Sequence, residues 1–388
     1  MDSNPPTAEQ LLASARSLRP LIEAEAPEIE RERRITVPVV EGLRAAGLYR
    51  MLAPRSLGGS EIDLLSFSKV MEAVAMADGS TAWCLGQNSG VTRVSAYMPE
   101  QGAREVFGSP DTIMSWGNGP ATAHPVDGGY VVNCKLAFSS GMHQATWLGC
   151  QDLDVYDEQG NIVSQKRGET KRGICFFPRE VVEVTDMWHV SGLRGTGSDS
   201  YAVTDLFVPQ HRFALDECQE PGPLYIFTTT NFFSIGFASV ALGIARATLD
   251  SFLEMTNRKS PRGVDSKLQD LSRVQSGLGN MEATYRSARA LLHTTIQQAW
   301  DEVCETRQRT MQVRIDLRLA TTYAMQQAAL VVDAAYKAAG VDAIFDKNAF
   351  ERRFRDMHAV TQHIQARDDH FERVGQFMMG LEPDTGWL

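Results

Sequence analysis

Two neighbouring hydroxyls in Phe138-Ser139-Ser140-Gly141 sit where a strand-like run gives way to glycine. Hydroxyls so placed either meet a ring nitrogen of a flat cofactor or simply finish a turn, and local chemistry favours the turn. Three histidines, His358, His363 and His370, crowd the C-terminal segment. Their spacing puts His363 and His370 roughly on one helical face, but it is not the i, i+4 pairing typical of zinc, so no metal is expected. One histidine in acid–base chemistry competes with a hydrogen-bonded structural one. Gly195-Thr196-Gly197-Ser198-Asp199-Ser200 imitates a dinucleotide fingerprint, yet it lacks the third glycine and runs into strand-like Tyr201-Ala202-Val203. No Walker A sequence occurs. A nicotinamide site is therefore not expected, and reducing equivalents must come from elsewhere.

The elements that must position these groups change character twice. From Glu9 to Val106 the pattern is helical, with Leu18, Leu21, Ile22 and Ile29 at helix-like spacing. Thr36 is placed to cap a helix with Pro38 in its first turn and Gly47 beyond its end. Leu57-Gly58-Gly59 reads as a turn before a helix carrying Phe67, Val70, Met71 and Val74. Between Asp111 and Arg212 short strands take over. Asp127-Gly128-Gly129 is a hairpin-type turn before Tyr130-Val131-Val132 and Leu136-Ala137-Phe138. Further strands are expected over Gly149 to Tyr156, Gly173 to Phe177, Val181 to Val184 and Tyr201 to Val208, with the polar Asp157 to Arg172 as an exposed hairpin end. From Ile226 onward long helices return. Leu268 through Trp300 trace one apolar face, and Met311 to Ala339 is rich in alanine and leucine and stops at Gly340.

The fold class is thus α+β and mostly α: an N-terminal helical domain (1–110), a middle β-barrel or sandwich (111–215) and a C-terminal four-helix bundle (216–388). A net charge of −10 argues against nucleic-acid or anionic-membrane partners, although a local basic pocket for an anionic cofactor remains open. Six cysteines without a C-x-x-C pair read as buried small hydrophobes. Met1 to Ser14 lacks the apolar core of a signal peptide, and no stretch of about 18 apolar residues is expected to span a membrane. A cytoplasmic location is expected.

Taken in order, several segments resemble the acyl-CoA dehydrogenase family over nearly the whole length. They are Ala46-Gly47-Leu48-Tyr49 with Pro54 and Gly58-Gly59, Gly79-Ser80-Thr81-Ala82-Trp83, Asp127-Gly128-Gly129-Tyr130, and the Phe-Ser-Ser-Gly run with Trp147. Trp188 with Gly192 to Ser198, Val208-Pro209 with Arg212, Ala241 to Ala245, and Arg355-Asp356 before His363 complete the series. Within the family, the nearer likeness is to two-component flavin monooxygenases of the p-hydroxyphenylacetate hydroxylase type. The resemblance implies that Ser140, or Ser139 as its neighbour, faces flavin N5. It implies that His363 is a general base or proton donor, and that Trp116 and Gly340 adjoin the cofactor. Arg258 resembles the arginine that reaches a flavin phosphate across a subunit boundary. Trp83 and Trp116 could line a flat apolar substrate pocket, or be plain core.

The implied activity is oxygenation of a small aromatic or heteroaromatic substrate with O2 and reduced FMN or FAD, delivered by a separate NAD(P)H:flavin reductase to a homotetramer. Two departures bear on it. Ile364 stands where the largest group of acyl-CoA dehydrogenases keeps its carboxylate base, and an aliphatic chain cannot abstract a proton. Gly86 to Thr92 lacks the second histidine usual in the hydroxylases, and Cys134 and Leu136 replace the usual glycine and tryptophan. An acyl-CoA dehydrogenase or oxidase, and a flavin-binding scaffold without activity, are the competing readings.

Overall fold

The computed structural model describes residues 4–164 and 173–388. The helices α1 (Ala8–Ser17), α2 (Arg19–Glu32), α3 (Val37–Ala45), α4 (Leu64–Ala75), α5 (Gly79–Thr92) and α6 (Glu100–Phe107) come first. Thr36 begins α3 in extended conformation, but its hydroxyl makes no capping bond, which corrects the expected cap. Asp63 and Asp78 do cap α4 and α5, accepting the N–H groups of Ser66 and Thr81. Helix α5 is buried on nearly every residue. Its glycines allow that: a Cβ on Gly86 would lie 2.8 Å from Met71 Cε, and one on Gly90 would lie 3.0 Å from the Phe233 ring.

Seven strands follow: β1 (Met114–Gly117), β2 (Ala121–Val126), β3 (Gly129–Leu136), β4 (Trp147–Val155), β5 (Gly173–Pro178), β6 (Glu183–Thr185) and β7 (Ser200–Pro209). They form one sheet in the order β1-β4-β2-β3-β7-β6, with β5 also on β4. Strand β4 pairs in parallel with β1 through Trp147–Cys150 and with β2 through Asp154–Val155. A bulge at Gln151–Leu153, with Asp152 at φ 60, bends it between the two. Tyr201 fastens the curl from the other side: its hydroxyl donates to Gly149 O (2.5 Å) and accepts the Gly117 N–H (3.1 Å).

Strands β1 and β2 were not expected from sequence, because Met114–Gly117 is short and Pro125 interrupts Ala121–Val126. Leu136-Ala137-Phe138 is not a separate strand. Strand β3 ends at Leu136, and Phe138 turns away at φ 58. Val181–Val184 divides into a 3-10 turn over Arg179–Val181 and the short β6. Of the polar span Asp157 to Arg172, residues 165–172 lie outside the described residues.

The closing helices are α7 (Thr229–Thr256), α8 (Ser272–Thr306), α9 (Met311–Ala339), α10 (Ala349–Thr361) and α11 (Asp369–Met378). By length and composition α7 is apolar enough to cross a membrane, which corrects the expectation that no such stretch exists. Within the fold 89% of its apolar window is buried, against α4, α5 and α9. Close approach to α4 depends on Gly243, whose added Cβ would lie 2.5 Å from Ala75 Cβ. Helices before and after the sheet share one apolar core from Leu11 to Ala366, while the sheet encloses a second. A third cluster, around Trp116, Phe107 and Phe176, seals the seam where α5 and α6 meet β1 and β5. Cys84, Cys134, Cys150 and Cys175 are buried as expected, whereas Cys218 and Cys304 are exposed.

Candidate active site

At this seam, strand alternation decides what β1 offers the turn after β3. Ser115 and Gly117 face the Ser139-Ser140 turn, and Trp116 points to the opposite face. Ser115 Oγ donates to Ser140 O (2.9 Å). A Cβ on Gly117 would fall 2.5 Å from Ser139 Oγ and 2.7 Å from Leu136 Cβ, so the turn can approach β1 only over glycine. Ser139 Oγ is buried with no hydrogen-bond partner among the described residues. Phe138 is 61% exposed and meets Trp188 edge-on at 6.1 Å.

Ser140 Oγ is the start of a directed chain. It accepts Trp83 Nε1–H (3.1 Å) and lies 2.7 Å from Ser198 Oγ, which lies 2.7 Å from Thr196 Oγ1. Thr196 donates its only hydroxyl hydrogen to Leu193 O (2.9 Å). It must therefore accept from Ser198, and Ser198 in turn must accept from Ser140. The Ser140 hydrogen is thus committed, and its oxygen keeps one lone pair for a further donor. Leu193 anchors the far end. It holds a left-handed φ of 51 because its carbonyl also accepts Trp188 Nε1–H (3.0 Å) and its N–H donates to Asp356 Oδ1 (2.6 Å). Burial, aided by Asp78, pushes the Asp356 carboxyl up to about 7.

An aromatic row runs beside Ser140. Trp83 stacks on Phe237 at 3.8 Å, and His363 meets both rings edge-on, at 5.3 Å and 4.5 Å. Phe237 stacks on Phe233 at 5.8 Å, and Phe233 meets Trp116 at 6.0 Å. His363 and His370 do not share a helical face, contrary to expectation. Helix α10 ends at Thr361, His363 begins a 3-10 turn over Ile364–Ala366, and His370 belongs to α11. His363 Nδ1 accepts the Gln365 N–H (3.2 Å), so the neutral ring carries its proton on Nε2. His370 Nε2 donates to Ile364 O (2.8 Å), and burial with Arg318 lowers its pKa to about 4, making it the structural member of the group. His358 pairs with Asp333 at 2.9 Å.

Sequence-expected residues therefore separate into two places. Ser139, Ser140, Trp83 and His363 converge, and Trp116 joins them through Phe233. Arg258 and Gly340 lie at the far ends of α7 and α9, with Arg258 exposed beside Glu254 (3.8 Å). Ser198, Thr196 and Asp356 were missed as members of the Ser140 network. Asn88 was also missed: in the stretch where a second histidine was sought, its Nδ2 donates to Met114 O (2.6 Å) and its Oδ1 accepts from Gln144 (3.1 Å). Gly195 to Ser200 turns directly into β7, as the strand-like Tyr201 suggested. A cavity of about 600 Å³ between Tyr130, Gln210 and Phe213 holds none of the Ser140 group. A smaller one, about 320 Å³, opens at the first turn of α7, two turns before Phe237.

The comparison with known sequences matches residues 6–103 to the acyl-CoA dehydrogenase N-terminal domain and residues 235–368 to its C-terminal domain. The chain belongs to the acyl-CoA dehydrogenase family. Its relatives in that family include the indole-3-acetate monooxygenase of Pseudomonas putida, 30% identical over 371 residues, covering 93% of this chain and 91% of that protein. The oxygenase component of p-hydroxyphenylacetate 3-hydroxylase from Acinetobacter baumannii is 24% identical, covering 96% and 90%. Streptomyces XiaF, solved in complex with FADH2 and glycerol, superposes with a TM-score of 0.89 at 22% identity over 97% of this chain and 96% of that one, a likeness of fold. The expected fold is therefore found. This member of the acyl-CoA dehydrogenase family is a flavin-dependent monooxygenase whose cofactor is a reduced flavin.

Proposed function

We propose that the protein is the oxygenase component of a two-component system, acting on a small aromatic or heteroaromatic substrate with FMN or FAD reduced by a separate NAD(P)H:flavin reductase. The observation that carries this reading is the directed hydroxyl chain, which leaves one Ser140 lone pair open beside a row of flat rings. A flavin fits these residues. Ser139 Oγ is a buried hydroxyl awaiting a partner, and Phe138 and Trp188 offer aromatic surface at the same turn. Reduced flavin, when bound, would supply the two electrons that activate dioxygen, one oxygen atom passing to the substrate and the other leaving as water.

The protein's own residues bind, orient and exclude water. With its hydrogen committed to Ser198, Ser140 accepts an N–H from the ring system and holds that proton in place. Trp83 and Phe237 form a dry stacking wall for an aromatic substrate. His363 presents Nε2–H, so it donates to a substrate or oxygen atom. Acting as a base instead would require Nδ1 to release the Gln365 N–H. Asp356 positions Leu193, and so the end of the hydroxyl chain.

Arg258 and Gly340 take part differently. Arg258 lies roughly 30 Å along α7 from Phe237 at ~1.5 Å per residue, too far for one flavin to reach in a single chain. They would meet the phosphate end of a cofactor held by a neighbouring copy in the proposed homotetramer. A cytoplasmic location, where a reductase and its nicotinamide supply are at hand, belongs to the same proposal. The test is turnover with an added flavin reductase, NADH and isotopically labelled dioxygen, using indole and indole-3-acetate as trial substrates. One labelled oxygen atom in the product is expected. Flavin reoxidation with hydrogen peroxide as the sole product, across a panel of aromatic compounds, would contradict the proposal.

A further inference from the structure

The 320 Å³ cavity at the start of α7 is lined by Arg93, Arg309 and Arg314, with Asp216 as the acidic side chain among the described lining residues. Three guanidiniums stand against the Asp216 side chain and the α-carboxylate of Leu388, which also lines the cavity, so positive charge still exceeds negative. Arg93 is 5% exposed and held rigidly, donating to Thr229 Oγ1 (2.7 Å) and lying over the Phe232 ring at 5.2 Å. Arg309 Nη1 donates to two neutral acceptors, Thr228 Oγ1 (2.9 Å) and Asn231 Oδ1 (2.8 Å). Arg314 Nη2 donates to Thr385 O (2.9 Å), and its Nε is buried without a partner. Neither Arg309 nor Arg314 meets a carboxylate among the described residues. Burial, with Arg314 and Arg93 nearby, depresses the Arg309 pKa to about 10, and burial depresses that of Arg314 as well. Cations desolvated together in this way are costly unless an anion joins them.

Position connects the cluster to the reaction. Thr229 and Thr230 wall the cavity, and Phe233 and Phe237, one and two turns further along α7, belong to the aromatic row at Trp83. From Thr230 to Phe237 the helix rises roughly 10 Å. Phe233 lies only about 5 Å from Thr230 on that rise, so an aromatic ring beside it can direct a short acidic arm at the cluster. A planar carboxylate is the anion that paired guanidinium forks recognise best at this scale. We infer that this cavity binds the carboxylate of an aromatic carboxylic acid, with Arg309 and Arg314 as its principal cations, and so selects acidic over neutral aromatic substrates. The assignment rests on the monooxygenase reading only for the statement that the acid is the substrate; binding stands alone.

The experiment is isothermal titration of the full chain with indole-3-acetate and phenylacetate against their neutral counterparts, indole-3-ethanol and 2-phenylethanol. The acids are expected to bind about 10- to 100-fold more tightly than the alcohols, the range of a charge-assisted hydrogen-bond pair. Arg309→Gln and Arg314→Gln should each remove most of that preference while leaving the alcohols unchanged, and Arg309→Lys should keep part of it. Equal affinity for acids and alcohols, no binding of either acid, or an acid preference that survives both glutamine variants would overturn the inference. Calorimetry needs no turnover, so failure of the oxygen chemistry with intact acid binding counts against the monooxygenase reading alone.

Discussion

Trp83 Nε1 donates to Ser140 Oγ at 3.1 Å, joining helix α5 to the turn after β3 through a buried hydrogen bond. Because Thr196, Ser198 and Ser140 all pass their hydrogens toward Leu193, this indole N–H is the donor that fills one of the two Ser140 lone pairs. Trp83→Phe would keep the stack on Phe237 and delete only that donor. The expected result is a folded protein whose Ser140 hydroxyl is less well fixed. Loss of one such bond, ~1 kcal/mol, should raise the peroxide released per NADH several-fold. Quantifying peroxide against product checks this, and an unchanged ratio would count against the relay.

His363 should act through the chemical step. His363→Ala is expected to lower kcat about 100-fold or more, the range for a positioned proton donor, with a much smaller change in KM. Steady-state kinetics across a pH series decides it. A KM effect alone would return His363 to the role of a packing partner for Trp83 and Phe237.

Gly117 has a steric role that can be tested without any cofactor. The alanine methyl would fall 2.5 Å from Ser139 Oγ, so Gly117→Ala should push the Ser139-Ser140 turn off β1. A destabilisation of about 1–3 kcal/mol, typical of overpacking, is expected in urea unfolding, with weakened flavin binding. Unaltered stability and unaltered flavin affinity would show that the turn adapts freely.

Asp356 should make stability pH-dependent. Its carboxyl is raised to about 7 in the fold from the usual 3.8. Below about pH 4 both folded and unfolded states hold the proton, and the group has no effect. Between about pH 4 and pH 7 the unfolded chain ionises first, so stability falls as pH rises. Above pH 7 the full penalty, on the order of 4 kcal/mol, is present. Asp356→Asn keeps an acceptor for the Leu193 N–H and removes the titration. Its stability relative to the parent should therefore increase from pH 5 to pH 8, measured as the shift in urea midpoint. Parallel curves would mean that the buried carboxyl does not titrate in this range.

Much of the architecture was legible in the sequence, for reasons that particular residues make plain. The apolar face of α8 and the stop of α9 at Gly340 are local signals, and the helices follow them. The Phe-Ser-Ser-Gly run and His363 were legible only through the resemblance, since two serines and a histidine carry little information alone. Ser198 and Thr196 escaped because they lie in a segment whose glycines drew attention, and their role depends on a fold that brings residues some 58 positions apart within 2.7 Å. Strands β1 and β2 escaped because pairing with β4, not local pattern, makes them strands. The arginine cluster was invisible for the same reason: Arg93, Arg309 and Arg314 come from two distant stretches that only the packing of α5, α7 and α9 unites.

On this reading the Ser140 network holds a reduced flavin ready to react with dioxygen in a site shielded from water. Stopped-flow absorbance tests it most directly, mixing the protein and anaerobically reduced flavin with oxygenated buffer. The expected result is a transient that outlasts any seen with free flavin and that shortens about tenfold or more in Ser140→Ala. Immediate return to oxidised flavin in the unaltered protein, with no transient, would contradict it.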